Sequence, residues 1–552
     1  MKSMVIKPTR TNASYLPLLI VTAATMLCLL PFAGKAFNID EPLFIWVAKH
    51  IHTNAVDFYG FKINWYGTEA SAAEIIKNPP LASYYLAFAG YLAGWSEVSL
   101  HLAFLLPAIA AATGTYFLAR LLSPQPLLAT LLALFTPVFI VSSSTVMCDT
   151  MMLALYVWAV FLWMRGMESD GYGNLIGASF LVALCSLTKY FGMSLIPLLL
   201  LYTLRSKQGR KQNALFLLIP IIVLCGYQLG TEALYGRGRL LDAASYANAA
   251  KLHGVKKDFF TSLIEGLSFF GGCFIPTLLF APRLWSRPTV IAVIAAVPVL
   301  ALCFYGISLP ERPESMPGVY YLQLSLFIVA GIQLLALAVR DLKEKRDTQS
   351  LLLFLWIAGT FVFASFLNWS VNGRSILPMV PAVGVLVARG LSRQESELNE
   401  MVLLRSRSCL AAVAAGCLIS MAVAWSDYSL AGTARSAARA IARNYHRGEN
   451  SLVFQGHWGF QYYMEQMGAV AWDEKKAYAK PVIMAVAEDN TNIDSGIIAR
   501  GYPMQVLELA PAKFLSTMSR EMRAGFYSSV RGALPFAFGK VPDERYLVLL
   551  FR

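Results

Sequence analysis

LASYYLAFAGYLAGW, residues 81–95, is an apolar run directly behind Pro79-Pro80, and the fold turns on whether it crosses a membrane. About 20 helical residues are needed to span a hydrocarbon core of ~30 Å, so this run is short for the task. Around it lie other apolar runs, roughly 15–33, 97–120, 124–142, 149–166, 173–188, 190–205, 214–231, 266–282, 289–305, 318–338, 350–367, 374–390 and 408–426. The charges between the runs decide its placement. If residues 81–95 lie along the membrane surface, one side receives Lys2, Lys7, Arg10, Arg120, Arg165 and the Arg205/Lys207/Arg210/Lys211 cluster. The same side receives Arg283, Arg287, the 340–346 cluster and the arginines of 393–407. By the positive-inside rule that side is the cytoplasm. If the run spans, these clusters move outside while the N-terminus stays in. The surface reading therefore wins, and about thirteen spans, an odd number, place the tail from Asp427 on the outer side.

Composition agrees. Of 552 residues, 57% are hydrophobic and 14% charged, with a mean hydropathy of +0.54, where soluble domains carry about a quarter charged. The first run reads as an uncleaved span, because Ala33-Gly34-Lys35-Ala36 is a poor cleavage site. The eight cysteines fall in or at the ends of apolar runs without CxxC or Cys/His spacing, against a disulfide scaffold or zinc module. Most of the +13 charge sits in short loops between spans, which marks topology and not a nucleic-acid footprint. The tail alternates strand-like runs (451–454, 481–486, 546–551) with helical stretches, as a small α/β domain would. The expected organisation is a membrane unit, 1–426, with a first outer loop at 34–96, and an outer domain, 427–552. No internal repeat or broken span is expected.

Ionisable groups at the outer ends of spans are costly and point to function. Asp40-Glu41 precede Pro42 and open a helix, where acids also suit the helix dipole; the alternative is a general base for a hydroxyl. Lys77, in Lys77-Asn78-Pro79-Pro80-Leu81, either snorkels or faces an anion. Asp149 opens a span and is either its N-cap or a second acid on the same face. Lys189 interrupts nearly thirty apolar residues at an outer bend, and Arg374 opens a span against the charge bias of the chain. Acids could handle a hydroxyl nucleophile, and cations a phosphate.

In this order, an Asp-Glu pair after the first span, a Lys-x-Pro-Pro-Leu element ending in Tyr84-Tyr85, an Asp opening the fourth span, Leu187-Thr188-Lys189 and Arg374-Ser375-Ile376-Leu377-Pro378 resemble the GT-C glycosyltransferases. The nearest branch is family 39, which includes the protein O-mannosyltransferases and the bacterial lipid A aminoarabinose transferases. The position before the two prolines is Asn78, where many relatives have Lys. The resemblance implies a sugar moved with inversion from a polyprenyl-phosphate donor to an acceptor hydroxyl on a protein, lipid or glycan. It implies Asp40 as base, Glu41 and Asp149 as supporting acids, and Lys77, Lys189 and Arg374 on the phosphate. Asn78, Tyr84, His457 and Trp458 are expected near substrate, the last two from a GHWGFQYY segment, 456–463, with a structural turn as its alternative. It implies a bacterial inner membrane with site and tail facing the periplasm. No cofactor is required by these residues; a divalent metal on His253 and the outer-loop acids is the open possibility. The rival classes are a transporter or flippase, which should show paired repeats and broken spans, and an O-antigen ligase or polymerase.

Overall fold

The computed structural model describes residues 15–169, 171–253, 258–307, 318–393, 406–446, 452–478, 481–491 and 493–552. The chain is mostly helical, with a β-rich C-terminal region. Eight helices among the described residues are long and apolar enough to cross a membrane, and ten if two bent pairs each count as one span. The other three expected runs fall on shorter apolar helices, Leu16–Phe32, Tyr172–Thr188 and Tyr190–Arg205.

The bent pairs correct the expectation of unbroken spans. Pro126–Leu134 and Pro137–Ser143 meet at 65°, and Phe259–Cys273 and Ile275–Leu284 at 71°. Local chemistry explains the first break: Thr136 caps the second helix by accepting from the Phe139 amide, and Pro137 starts it. Proline lacks the N–H that would continue the preceding helix and fits a first turn instead. Pro276 stands in the first turn of the second half of the other pair, Ile275–Leu284, which has no capping side chain.

Residues 81–93 form a helix, Leu81–Ala93, that packs chiefly on the helix Glu41–Thr53 and also touches Glu97–Leu122. Thirteen residues reach only about 20 Å at 1.5 Å each. Between these helices the first outer loop folds a hairpin, Lys62–Asn64 against Glu69–Ser71, in antiparallel register with Ile63 opposite Ala70.

The last of the long apolar helices, Arg407–Tyr445, has 39 residues and a length of about 58 Å, nearly twice a hydrocarbon core. It runs unbroken through the expected boundary at 426/427 and carries the tail. There a five-stranded mixed sheet is ordered Val470–Ala471, Leu452–Gln455, Val482–Ala487, Glu544–Phe551, Tyr502–Leu509. The first three strands are parallel, and the last two pairings are antiparallel. The helix Trp458–Gln466 connects the two parallel strands at one edge. Strand Tyr502–Leu509 was not foreseen, since Pro503 and its many exposed residues mark it as an edge.

A buried ion pair fastens tail to membrane unit. Lys35 Nζ lies 2.5 Å from Asp427 Oδ2, with both side chains fully buried. Asp427 also accepts from Thr517 and Tyr527 of the tail, each at 2.7 Å. Removing one member of such a pair strands a buried charge, typically costing about 3–5 kcal/mol.

Candidate functional site

Asp40 stands at the start of the helix Glu41–Thr53, yet its side chain makes no capping bond. It instead accepts from Arg374 Nη2 at 3.0 Å. Arg374 comes from the first turn of a short helix, Gly373–Ile376, capped by Asn372, whose side chain accepts from the Ser375 amide at 2.8 Å. Asp149 lies behind the guanidinium, 3.9 Å from Nη1, and takes a 2.6 Å bond from Lys189. Lys189 sits in extended backbone between two helices. The bend there is tight: a Cβ on Gly192 would meet the Cys185 carbonyl carbon at 2.5 Å, so only glycine fits.

Lys77 pairs at 2.8 Å with Asp242, which Arg239 also holds at 2.9 Å. Burial pushes the Asp242 carboxyl up, but bonds and charge from Lys77 and Arg239 outweigh it and hold it below its usual range. Arg239 is buried over the Tyr59 ring and bonded to the Ile76 carbonyl. Around one cavity, four cations (Lys77, Lys189, Arg239, Arg374) thus face three carboxylates (Asp40, Asp149, Asp242).

That cavity holds about 310 Å³, within the size range of ligand pockets. Asp40, Lys77, Asn78, Lys189 and Arg374 all line it, with aromatic walls from Tyr59, Trp65, Tyr66, Tyr190, Tyr246 and Trp369. Phe363 enters from a π-helical turn, Phe363–Leu367, a local widening often found at functional sites. Neither bent helix pair contributes a lining residue among those described.

The tail grips both halves of the Asp40–Arg374 pair. Gly373 donates its amide to the Phe526 carbonyl at 2.7 Å, Ser529 donates to the Val371 carbonyl at 2.8 Å, and Arg374 lies over the Tyr527 ring. On the other side, the Phe37 amide donates to the Tyr463 hydroxyl at 2.8 Å, and a Cβ on Gly459 would come within 2.0 Å of the Phe37 carbonyl. Ile39, next to Asp40, is held at a φ of 51°, where a β-branched residue is strained.

Other expected residues take different places. Glu41 is fully buried behind the cavity, accepting from the Asn38 amide at 2.6 Å and the Val146 amide at 2.8 Å, so it ties two loops together. Asp149 is buried too and reaches the cavity only through Lys189 and Arg374. Tyr84 donates to the Ala55 carbonyl and does not line the cavity. Trp458 sits under the Arg531 guanidinium in the tail. His457 stacks on Trp65, and burial pushes its ring down to about 4 despite a bond with Gln461, leaving it neutral. The side chain of His253 lies outside the described residues. Among the described residues no group of three or more His, Cys, Asp or Glu converges as a metal site, and Asp40 and Asp149 are spent on cations.

Sequence reading missed Arg239, Asp242 and the aromatic walls. A possible signal was the Arg239/Asp242 spacing of three, one helical turn, in an outer loop rich in Tyr, Arg and Lys.

Residues 77–227 match the family model of dolichyl-phosphate-mannose-protein mannosyltransferases, well under half of the chain. Among solved structures, the Archaeoglobus fulgidus oligosaccharyltransferase in complex with Zn and sulfate superposes with a TM-score of 0.50 at 12% identity. The match covers 83% of this chain and 62% of that one, so this chain spans less than two thirds of that protein's length. ArnT from Cupriavidus metallidurans bound to undecaprenyl phosphate has a TM-score of 0.43 at 13% identity, covering 98% of both chains. Arabinofuranosyltransferase AftD from Mycobacteria gives 0.41 at 13%, covering 97% of this chain and 40% of that one. No curated protein matches. The resemblance read from the sequence is borne out: this is a membrane protein of the GT-C fold.

Proposed function

We propose that the chain is an inverting glycosyltransferase that moves a sugar from a polyprenyl-phosphate donor to an acceptor hydroxyl on the outer face of the membrane. The observation that carries this reading is a single carboxylate, Asp40, sharing a cavity with Lys77, Lys189 and Arg374. With their ion-pair partners these groups are four cations (Lys77, Lys189, Arg239, Arg374) and three carboxylates (Asp40, Asp149, Asp242), an excess of one positive charge. A lipid phosphodiester carries one negative charge, so it completes the balance. Its oxygens compete with Asp40 for Arg374, which frees the carboxylate.

The chemistry then follows. The acceptor oxygen attacks the anomeric carbon in line while Asp40 takes its proton. The bond from that carbon to the phosphate oxygen breaks on the opposite side, inverting the centre. The departing lipid phosphate gains a second negative charge, which Lys77, Lys189 and Arg374 stabilise. Glu41 and Asp149 hold the loops and cations in place. The segment matching the mannosyltransferase family model contains Lys77 and Lys189, in keeping with a lipid-phosphate donor.

Two bent helix pairs are a transporter-like feature, but among the described residues neither lines the cavity that holds Asp40 and the cations.

Arg374→Ala and Lys189→Ala should each weaken donor binding by on the order of 1.5–3 kcal/mol, the scale of a charge-assisted contact. Titration of detergent-purified variants with undecaprenyl phosphate reads this. Unchanged affinity in both would reduce the two cations to partners of Asp40 and Asp149.

Orientation rests on the charge count, which favours the outer side for the site and tail if the thirteen apolar runs all cross; the family resemblance makes that side the periplasm of a bacterial inner membrane. Single cysteines at Ser96 and Lys475, both exposed, should react with an impermeant maleimide in intact cells, and one at exposed Gln208 only after lysis. The reverse pattern would invert the topology.

A further inference from the structure

A second cavity, of about 240 Å³, adjoins the first. It opens where the parallel strands Leu452–Gln455 and Val470–Ala471 end, capped by the hairpin of the first outer loop. Carboxyl ends of parallel strands are the usual ligand edge of an α/β sheet. Tyr66 lines both cavities, and Trp65, a wall of the first, stacks on His457, a wall of the second, with ring centres 5.1 Å apart.

The two linings differ in charge. Around the second cavity stand Asn64, Gln455, Glu474 and Asp494 with Tyr66 and Trp472, and no Lys or Arg among the described residues. His457 is neutral there. Carboxylates without a cation repel a phosphate. Amides and carboxylates between aromatic faces suit a ligand with an apolar ring face and several hydroxyls. The volume is smaller than most ligand pockets, which admits one sugar ring more readily than a chain.

The hairpin is fastened to the tail across this cavity. Asn64 donates to the Trp472 carbonyl at 2.8 Å, Gln461 to the Asn64 carbonyl at 2.9 Å, and the Glu474 amide to the Gly67 carbonyl at 3.1 Å. The wall between the cavities is therefore held in place by both parts of the chain.

We infer that the second cavity binds an uncharged sugar ring of the acceptor, which reaches past Tyr66 toward Asp40. The acceptor would then be a glycan or glycolipid and not an unglycosylated peptide. This rests on the glycosyltransferase reading for its place in the reaction, but its binding test does not.

The test is saturation-transfer NMR on the full-length protein in detergent, with methyl hexosides and methyl pentosides as probes. At least one glycoside should bind saturably. Ile493→Trp, which fills the cavity from a partly buried loop position, should weaken it by roughly tenfold or more, and Glu474→Ala by several-fold. Asp40→Asn should bind the glycoside as the parent does, and undecaprenyl phosphate should bind Ile493→Trp unchanged. No saturable glycoside, or binding indifferent to Ile493→Trp, would overturn the inference. Glycoside binding as described with no sugar transfer from any polyprenyl-phosphate donor would sink the transferase reading and leave the pocket standing.

Discussion

Asp40→Asn should lower sugar transfer by about 10²–10⁴-fold, the usual loss when a general base is removed. Donor affinity should rise, because a neutral amide no longer competes with the lipid phosphate for Arg374, now 3.0 Å from the Asp40 carboxylate. A capping role predicts the contrary, since Asn caps a helix about as well as Asp; the Asp40 side chain makes no capping bond. Melting temperature should change little, since the carboxylate is partly exposed and Arg374 keeps Asp149 nearby. The measurement is single-turnover transfer from a polyprenyl-phosphate sugar, with donor titration in parallel. Near-normal turnover would remove Asp40 from the chemistry. Weaker donor binding would show that the pair, not the phosphate, is what Arg374 serves.

The sequence disclosed the parts of this site that violate a rule. Lys189 stood out because it interrupts nearly thirty apolar residues, Arg374 because a cation at the expected outer end of a span opposes the charge bias of the chain, and Asp40 and Asp149 because acids there are costly. Parts that violate nothing stayed hidden. Arg239 and Asp242 lie on a polar helix outside the spans, where charges are ordinary. Which cation serves which acid depends on distances that no spacing reveals. The apolar pattern likewise indicated where helices run, but not the breaks at Pro137 and Pro276, since a broken span and a straight one read alike in hydropathy. The GHWGFQYY segment was legible as unusual and illegible in purpose, because its partner, Phe37, lies more than 400 residues away in the chain.

That segment supplies the second large effect. Gly459 packs against the backbone that delivers Asp40: an added Cβ would sit 2.0 Å from the Phe37 carbonyl oxygen, with the Asn38 Cα behind it at 3.3 Å. Backbone cannot swing aside as a flexible side chain can, so Gly459→Ala must displace residues 37–38 or the helix Trp458–Gln466. Two residues on, Ile39 is held at a φ of 51°, a conformation that persists only while its surroundings enforce it. Loosening that clamp lets Asp40 drift, and a misplacement of about 1 Å can cost on the order of 10²-fold in rate. The expected result for Gly459→Ala is therefore a kcat lowered by roughly 10²-fold, with undecaprenyl phosphate binding retained, because Lys77, Lys189 and Arg374 come from other segments. Overpacking should also cost about 1–3 kcal/mol of stability. Tyr463→Phe checks the same contact without adding bulk: it removes the oxygen that accepts the Phe37 amide. Its kcat should fall in the same direction, with donor affinity again intact. A purely structural role predicts another outcome, in which kcat per folded molecule and its pH profile match the parent while only the melting temperature drops. That result in both variants would free the Asp40 loop from the tail and return the C-terminal domain to the status of a passive cap.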